Sequence, residues 1–518
     1  MARARVKKIG ESSLSKFGST LKSSFKEVWS YGTGKAGLIL LIILLAVTIY
    51  AAISMPPNYN DLWSNPSYWE EYPQEVPPAW ISFFGVKYAK QFMDEMEKPV
   101  NITRDPKTLY WTVTYETTYK LDAEDYPQGV LAKVWGIRIF WKQNPENKSE
   151  YIPVTPIYEF LIIRPDGVEV RLVRDKISIE GTNITVGTKR VYVDLPLVLR
   201  PDNTRLRGVL AVALSKKYNL TIKSSDVENF EMQFLFGQPY EENGTIKTKP
   251  LLGDYKIVLK LVYSREAFGL EEAVEKVKFV VKGNAYGISG TDNRGRDLAQ
   301  GLLYGFPIAM TIGVVTATVT IIIGLMLGVI SGYYGGLVDE LIQRLVDVMG
   351  SIPLLPILIL IVNATYSMPN FPHDPIWRLA VILGVLIVFG WGGLAIVVRS
   401  MTLSIKEEPY IDAARALGAG NRRIIFKHII PQLIPYAMAS LVFSVPNAIL
   451  TEAGLSVIGI EHGLPTWGRI LADARAQAKL YLWWWIIPPG LLISITSLTF
   501  VLLGMAIERI VEPRLRTL

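Results

Sequence analysis

Cysteine is absent from the 518-residue sequence, which excludes disulfides, zinc fingers, iron–sulfur ligation and thiol catalysis. Histidine is almost absent. His373, His428 and His462 are scattered, none has a metal-ligating partner nearby, and all three read as local hydrogen-bonding or surface groups. Charge is scarce too: 19% of residues are charged against 50% hydrophobic, with a mean hydropathy of +0.26. That leaves too little polar surface for a purely soluble protein and too much apolar content for a disordered one. No phosphate-cradling G-x-x-x-x-G-K-S/T loop is present, because Gly32-Thr33-Gly34-Lys35 lacks both the earlier glycine and the following hydroxyl. H-E-x-x-H and G-x-S-x-G are missing as well, so the sequence offers no means to hydrolyse ATP or to run those metal and serine chemistries. The net charge of +7 is small for 54 basic and 47 acidic residues and gives no case for nucleic acid. The composition is that of a membrane protein.

What the chain does have is long apolar runs. Residues 36–55 carry no charge, and ten of the twelve residues from Leu38 to Ile49 are Leu, Ile or Val. Their insertion is favoured by about 3–6 kcal/mol, and the run matches the hydrocarbon thickness. A cleaved signal peptide is the competing reading, but its apolar core is shorter and its leading segment smaller than the stretch 1–35. Arg3, Arg5, Lys7, Lys8, Lys16, Lys22, Lys26 and Lys35 precede the run against Glu11 and Glu27, so the N-terminus is expected in the cytoplasm and residue 56 onward outside.

The stretch 56–283 holds no membrane-length run. It opens with Pro56, Pro57, Pro66, Pro73, Pro77 and Pro78 interleaved with Tyr59, Trp63, Tyr68, Trp69, Tyr72 and Trp80, a segment expected to resist helix and strand alike. Its aromatics suit the lipid headgroups or the underside of the domain equally. Period-two segments follow at 109–119, 132–141, 158–173, 189–195, 230–236 and 255–264, with Arg164-Pro165-Asp166-Gly167 as a turn. Helical patches are expected near 205–217 and 269–278. The sum is a β-rich extracytoplasmic domain, read as an immunoglobulin-like sandwich. Five N-x-S/T sequons fall in it, at Asn101, Asn147, Asn183, Asn219 and Asn243, with another at Asn363. Glycosylation and a chance crop on an Asn/Thr-rich β surface both account for them.

Hydrophobicity returns in five blocks at about 302–332, 341–362, 377–398, 435–457 and 484–507. The loop 399–434 carries Arg399, Lys406, Arg415, Arg422, Arg423 and Lys427 against Glu407, Glu408 and Asp412, and the tail carries Arg509, Arg514 and Arg516. Both belong inside by the positive-inside rule. Six transmembrane helices with both ends cytoplasmic satisfy these constraints and leave 56–283, the loop near 363–376 and the loop 458–483 outside. Within the cytoplasmic loop, Ala413, Ala414 and Ala416 give a short helix with a small-residue face. Gly418 and Gly420 break it, and a second short helix returns towards Pro431 and Pro435. Ala414 and Gly418 are four apart, hence on one face. This is a helix–glycine–helix knob of a size to fit a groove in a partner.

Here the sequence resembles a known family. Asp412-Ala413-Ala414, three residues, Gly418, and Pro431 thirteen positions on resemble the EAA loop of ABC importer permeases. Asp412 stands for the family's Glu, Ile430 for the Leu before proline, and His428 for its Ile. GTDNRGRD at 290–297, followed by Tyr304-Gly305, resembles the segment before the second helix in the C-type permease subunit of dipeptide and oligopeptide importers. EAGLSVIGI at 452–460 with Pro465 and Trp467-Gly468, and the tryptophans 483–485 before Pro488-Pro489-Gly490, resemble two further stretches of that subunit. The resemblance covers about 290–513 and the anchor helix; the stretch 56–283 has no counterpart in the usual members.

The resemblance implies a type I ABC importer permease fold for 284–518. It implies an ATPase-coupling role for Tyr410, Asp412, Ala413, Ala414, Arg415, Leu417 and Gly418. A second permease subunit, two cytoplasmic ATP-binding subunits that hold ATP and magnesium, and an extracytoplasmic binding protein would be the partners in the plasma membrane. No cofactor is expected on this chain. Gly290, Thr291, Asp292, Gly295, Arg296 and Asp297 read as a structural signature at a helix start, where neighbouring charges of both signs pair, rather than as a substrate gate. Glu452, near the outer end of the fifth span, is a candidate pore or gate residue, with pairing near the interface as the alternative. Gly313, Gly324 and Gly328 read as close-packing positions. Dipeptides or oligopeptides are the expected substrate, and oligosaccharides the alternative. A membrane-anchored receptor or enzyme centred on 56–283 is the reading from a different class, but an anchor needs no knob between its spans.

Overall fold

The computed structural model describes residues 27–143, 151–177, 184–187, 190–193, 196–264, 267, 269–372, 374–460 and 462–511. Asn147, Asn183, His373, the basic residues up to Lys26, and Arg514 and Arg516 lie outside the described residues. The chain divides into two compact units, Met1–Trp63 with Gln300–Leu518, and Ser64–Ala299.

The first unit is helical. The helices Gly32–Ser54, Leu298–Tyr334, Pro375–Gly390 continued by Gly392–Lys406, Ile430–Val457 and Trp483–Val511 supply five stretches long and apolar enough to cross a membrane. The expected span 341–362 is not one straight helix. It is a pair, Gly336–Ser351 and Leu354–Tyr366, bent by 87°. Ile352 takes extended backbone (φ −84°, ψ 123°) because it precedes Pro353, whose ring disfavours helical geometry at the residue before it. Among the described residues there are thus five candidate spans, or six if the bent pair counts as one. Along Gly32–Ser54, Ile39, Ile42, Ile43, Ile49 and Ile53 are exposed while Gly34, Gly37, Leu44 and Ala51 are buried, the pattern of a helix with one lipid-facing side.

Small residues set how closely these helices approach. A methyl group on Gly324, Gly328 or Gly332 would lie 2.7–2.9 Å from the backbone oxygens of Trp391, Ala395 and Arg399 in turn. Three glycines at four-residue spacing therefore seat Leu298–Tyr334 against the backbone of Gly392–Lys406. Gly313 does the same against Val445 and Ile449. At one end of this seam Arg399 grips Asp339 with two bonds of 2.5 Å, and Ser331 donates to the same carboxylate.

The second unit is built from antiparallel strands. A five-stranded sheet runs Asn101–Arg104, Trp111–Leu121, Gly253–Tyr263, Ile157–Ile163, Glu169–Lys176; a four-stranded sheet runs Phe92–Met96, Lys276–Lys282, Gly129–Trp135, Leu197–Leu199. Period two is visible in the burial of Val113, Tyr115, Thr117, Tyr119 and Leu121 on one face of their strand. Phe160 of the first sheet stacks on Phe279 of the second, 6.4 Å between ring centres, inside one shared apolar core. Gly136, at φ +60°, divides the expected strand 132–141 into Gly129–Trp135 and Arg138–Gln143. The turn at Arg164-Pro165-Asp166-Gly167 closes the Ile157–Ile163/Glu169–Lys176 hairpin.

Three local expectations fail here. Residues 230–236 do not form a strand: Glu231–Phe236 is helical and buries Phe234, Leu235 and Phe236 consecutively. Residues 269–278 form a single 3₁₀ turn, Leu270–Glu272, and then the strand Lys276–Lys282. The proline-rich opening is not free of helix, since Tyr59–Ser64, Pro66–Trp69 and the 3₁₀ segment Ala79–Phe84 occur there. The immunoglobulin-like plan also gives way. The helix Asn203–Tyr218, capped by Asp202, packs Leu206, Leu210 and Leu214 into the core between the strand elements, which makes the unit α+β rather than a plain sandwich. The buried Arg164 ties these pieces together, donating to the carbonyls of Phe234, Leu235 and Gly237 at 2.5–3.0 Å and to Asp166 at 3.0 Å.

Asn101, Asn219, Asn243 and Asn363 are all exposed. Asn243 and Gly244, both at positive φ, form the two-residue turn of the hairpin Gly237–Glu242/Thr245–Pro250.

Candidate functional site

The knob between the spans is a helix, Pro409–Ala416, started by proline at its first position and ended by a glycine turn. The Gly418 amide donates to the Arg415 carbonyl at 2.9 Å, and the Ala419 amide to Ala414 at 3.0 Å. Those two bonds are a Schellman ending, which needs a left-handed residue just past the cap; Gly418 supplies it at φ +82°. The chain then turns into Asn421–Ile424. That segment is not the separate short helix expected. It passes through a π turn, Ile425–Ile429, directly into Ile430–Val457. The wider turn lets the Ile430 amide reach the Ile425 carbonyl just before Pro431, whose ring would clash with a carbonyl four residues back.

One side of the knob is fixed to the membrane unit. Ile411 and Ile424 are fully buried with Val329, Tyr333, Val398, Ile425, Ile429 and Leu433. The Tyr333 hydroxyl donates to Asn421 at 3.0 Å, the Arg415 guanidinium lies 5.9 Å from the Tyr333 ring centre, and Arg415 pairs with Asp412 at 3.1 Å. Gln432 donates to Tyr410, and so ties the first residues of the knob to the long helix. The opposite side is open: Tyr410, Asp412, Ala413, Ala416, Leu417 and Gly418 are exposed, Leu417 to 88%. The expected pairing of Ala414 with Gly418 on one outward face does not hold. Ala414 is half-buried towards the Ile411 side, and Gly418 lies beyond the helix end. The outward apolar row is Tyr410, Ala413 and Leu417, at i, i+3 and i+7.

The signature segment sits within the Ser64–Ala299 unit. Asp292 and Arg296 are buried and ion-paired, and Asp292 Oδ1 accepts the backbone amides of Arg294 and Arg296 at 2.8 and 2.9 Å. Thr291 exchanges two hydrogen bonds with Val76. Gly295, at φ +79°, leaves no room for a Cβ, which would lie 2.9 and 3.0 Å from the carbonyl oxygens of Trp69 and Tyr72. Asp297 accepts the Ala299 amide at 2.9 Å at the start of Leu298–Tyr334. Gly290 is also at positive φ.

Glu452 is buried, and its Oε1 collects three side-chain donors: Ser456 at 2.9 Å, Thr466 at 2.9 Å and His462 at 3.0 Å. His462 Nδ1 accepts the Leu464 amide at 3.1 Å, so the hydrogen on its Nε2 is the one directed at Glu452. Thr466 in turn caps the helix Trp467–Ala476 through the Arg469 amide. The carboxylate thus clamps the loop 458–466 to the end of Ile430–Val457. The partnership with His462 was not visible in the sequence, because it joins two residues ten apart across an irregular loop.

The geometry is that of a helical membrane protein with a rigidly based, apolar-tipped knob. The family model described as binding-protein-dependent transport system inner membrane component matches residues 324–517. The oligopeptide transport system permease protein OppC of Bacillus subtilis is 33% identical over 229 residues, covering 44% of this chain and 72% of that protein. The dipeptide permease DppC of the same organism is 32% identical over 229 residues, covering 44% and 68%. This chain belongs to that permease family. Among solved structures, an inward-facing MetNI methionine ABC transporter matches 42% of this chain and 98% of its own at 18% identity, with a TM-score of 0.33. As a permease subunit of an ABC importer, the chain is a multi-pass membrane component and not itself an enzyme, and its family implies ATPase and binding-protein partners. The family match begins at Gly324 and so includes both the knob and the Glu452 clamp.

Proposed function

We propose that this permease forms half of the translocation path of an ABC importer for dipeptides or oligopeptides. In this reading an extracytoplasmic binding protein delivers the peptide, a second permease subunit completes the pore, and two cytoplasmic subunits hold ATP and magnesium. Six crossings place both termini in the cytoplasm, the bent pair 336–366 counting as one, and place the Ser64–Ala299 unit outside. The observation that carries the reading is the knob: buried Ile411 and Ile424 hold its base while Tyr410, Ala413 and Leu417 present an exposed apolar row. Such a row, on a rigid base, is suited to sit in a groove of an ATPase and transmit its movement. The peptide cargo is supported by the likeness to the OppC and DppC permeases.

The test is uptake of labelled di- and oligopeptides into vesicles reconstituted with the chain and its co-purifying subunits. ATP-dependent uptake is expected, and failure with peptides but success with oligosaccharides would reassign the cargo. Protease added to intact cells should cut within the Ser64–Ala299 unit and spare 399–434; cutting of the knob from outside would overturn the orientation.

A further inference from the structure

The Ser64–Ala299 unit contains a cleft that the permease reading leaves without a role. One cavity of about 810 Å³ is joined to a second of about 880 Å³ by a common wall of Tyr126, Phe230 and Gln233. Each has the volume of a small-molecule site. Phe230 is half exposed on that wall, and Tyr126 is held in place by a 3.0 Å bond to Thr248.

The polar groups around the first cavity divide sharply into occupied and available. Its carboxylates are already engaged: Glu70 with Arg200, Glu231 with Arg207 at 2.7 Å, and Asp125 with the Ala89 amide and Asn284 at 2.5 and 2.6 Å. Two cations are not. Among the described residues neither Lys282 nor Arg294 forms a side-chain ion pair, and the side chains of Asn203, Asn229, Gln233 and Asn293 form no hydrogen bond. Lys282 is half-buried on its strand, and burial pushes its ammonium below the ordinary lysine range, with Glu70 opposing and Arg200 and Lys133 adding to the effect. A half-buried cation whose opposing acid, Glu70, is already shared with Arg200 is costly, and an anionic ligand lowers that cost. What the cavity offers is therefore two positive charges and a set of amides, with no free acid to meet a positive charge.

We propose that this cleft binds short peptides by their C-terminal carboxylate, which Lys282 and Arg294 receive, while the free amides meet the peptide backbone. The choice of a peptide over another carboxylate-bearing solute rests on the proposed peptide cargo; the recognition of a carboxylate rests on the cleft alone. The same inventory offers a peptide's N-terminal ammonium no free acid in the first cavity.

The test is calorimetric binding to the full-length chain in detergent. The probes are a tetrapeptide with uncharged side chains as its free acid, its C-terminal amide, its N-acetyl derivative, and a tetragalacturonate. The free acid and the N-acetyl peptide should bind alike, and the amide at least tenfold more weakly, since a charge-assisted pair is lost. Lys282→Met and the exposed-site variant Arg294→Gln should each weaken the free acid about tenfold and leave the amide unchanged. Equal binding of acid and amide, unchanged binding by Arg294→Gln, or binding of tetragalacturonate alone would overturn the proposal. Peptide uptake by the reconstituted transporter without any binding at this cleft would overturn the cleft and spare the transport reading. Binding here without uptake would do the reverse.

Discussion

The Pro409–Ala416 knob and the Glu452 clamp both carry residues that a sequence reader marks as functional, and they are built on opposite principles. In the knob the polar work is local and the apolar residues point out: Asp412 and Arg415 pair with each other, while Leu417 and Ala413 face solvent. In the clamp an ionisable group is turned inward and met by Ser456, His462 and Thr466. A buried group whose hydrogen bonds are met within its own chain helps to hold that chain together. An exposed apolar row on a stiff base has its partner elsewhere. The three donors favour a clamp role for Glu452, and the proposed coupling role stays with the exposed row of the knob.

The largest effect on stability should come from emptying the clamp. Glu452→Ala orphans three buried donors at once, each costing about 1–3 kcal/mol, and should lower the thermal unfolding temperature of the detergent-solubilised chain severely. Glu452→Gln keeps an acceptor oxygen and should recover much of the loss. A fully stable Glu452→Ala chain with altered transport would restore the gate reading and erase the contrast.

The Ser64–Ala299 unit has a clamp of its own that uses cations instead. Glu71 bonds Lys133 at 2.8 Å and Lys278 at 2.6 Å, all three side chains largely buried. Burial alone would raise the Glu71 carboxyl, but the hydrogen bonds and charges of the two lysines more than offset it and hold the carboxyl below its ordinary value of 4.5. A depressed carboxyl stabilises the fold fully above its unfolded value and loses that contribution as pH falls through the folded one. Acidification from about pH 5 to pH 3 should therefore destabilise the natural chain more steeply than Glu71→Gln. At neutral pH Glu71→Gln should cost about 3 kcal/mol, because it leaves the buried Lys133 without a carboxylate and Lys278 with Glu95 alone. Parallel pH profiles for the two chains would remove the clamp from the account.

Much of this architecture is legible in the sequence, and the exceptions have physical causes. The strand Gly253–Tyr263 shows its period plainly, because Tyr255, Ile257, Leu259, Leu261 and Tyr263 share a buried face, whereas the helix Asn203–Tyr218 is legible from its helix-forming residues more than from its apolar spacing. Residues 230–236 show a strand-like alternation of apolar side chains, yet Glu231–Phe236 is helical: its last three residues are all buried, and the buried Arg164 donates to the carbonyls of Phe234 and Leu235. The 87° bend was signalled by Ile352-Pro353 but hidden by the apolar run on either side. At the knob, the glycine turn could be read from spacing. The burial of Ile411, which turns Ala414 inward and Ala413 outward, depends on Ile424 and Tyr333 from other helices and had no local signal.

A smaller cost should follow Gly418→Val. A Cβ there meets nothing within 4 Å, so the penalty is backbone strain alone, about 1–2 kcal/mol for a side chain forced to φ +82°. Gly418→Asn should be milder, since asparagine visits that region. Thermal stability and transport-stimulated ATPase activity should rank glycine, asparagine, valine; equal values for all three would mean that the turn geometry is unimportant.

Least costly to the fold, and most direct for the central claim, is Leu417→Asp. The side chain is 88% exposed, so stability should change by no more than about 0.5 kcal/mol. If the apolar row seats against an ATPase, a buried unpaired charge at its end should abolish both peptide uptake and stimulated ATP hydrolysis in reconstituted vesicles. Near-normal uptake and hydrolysis by Leu417→Asp would contradict the account: the knob would then not be the coupling element.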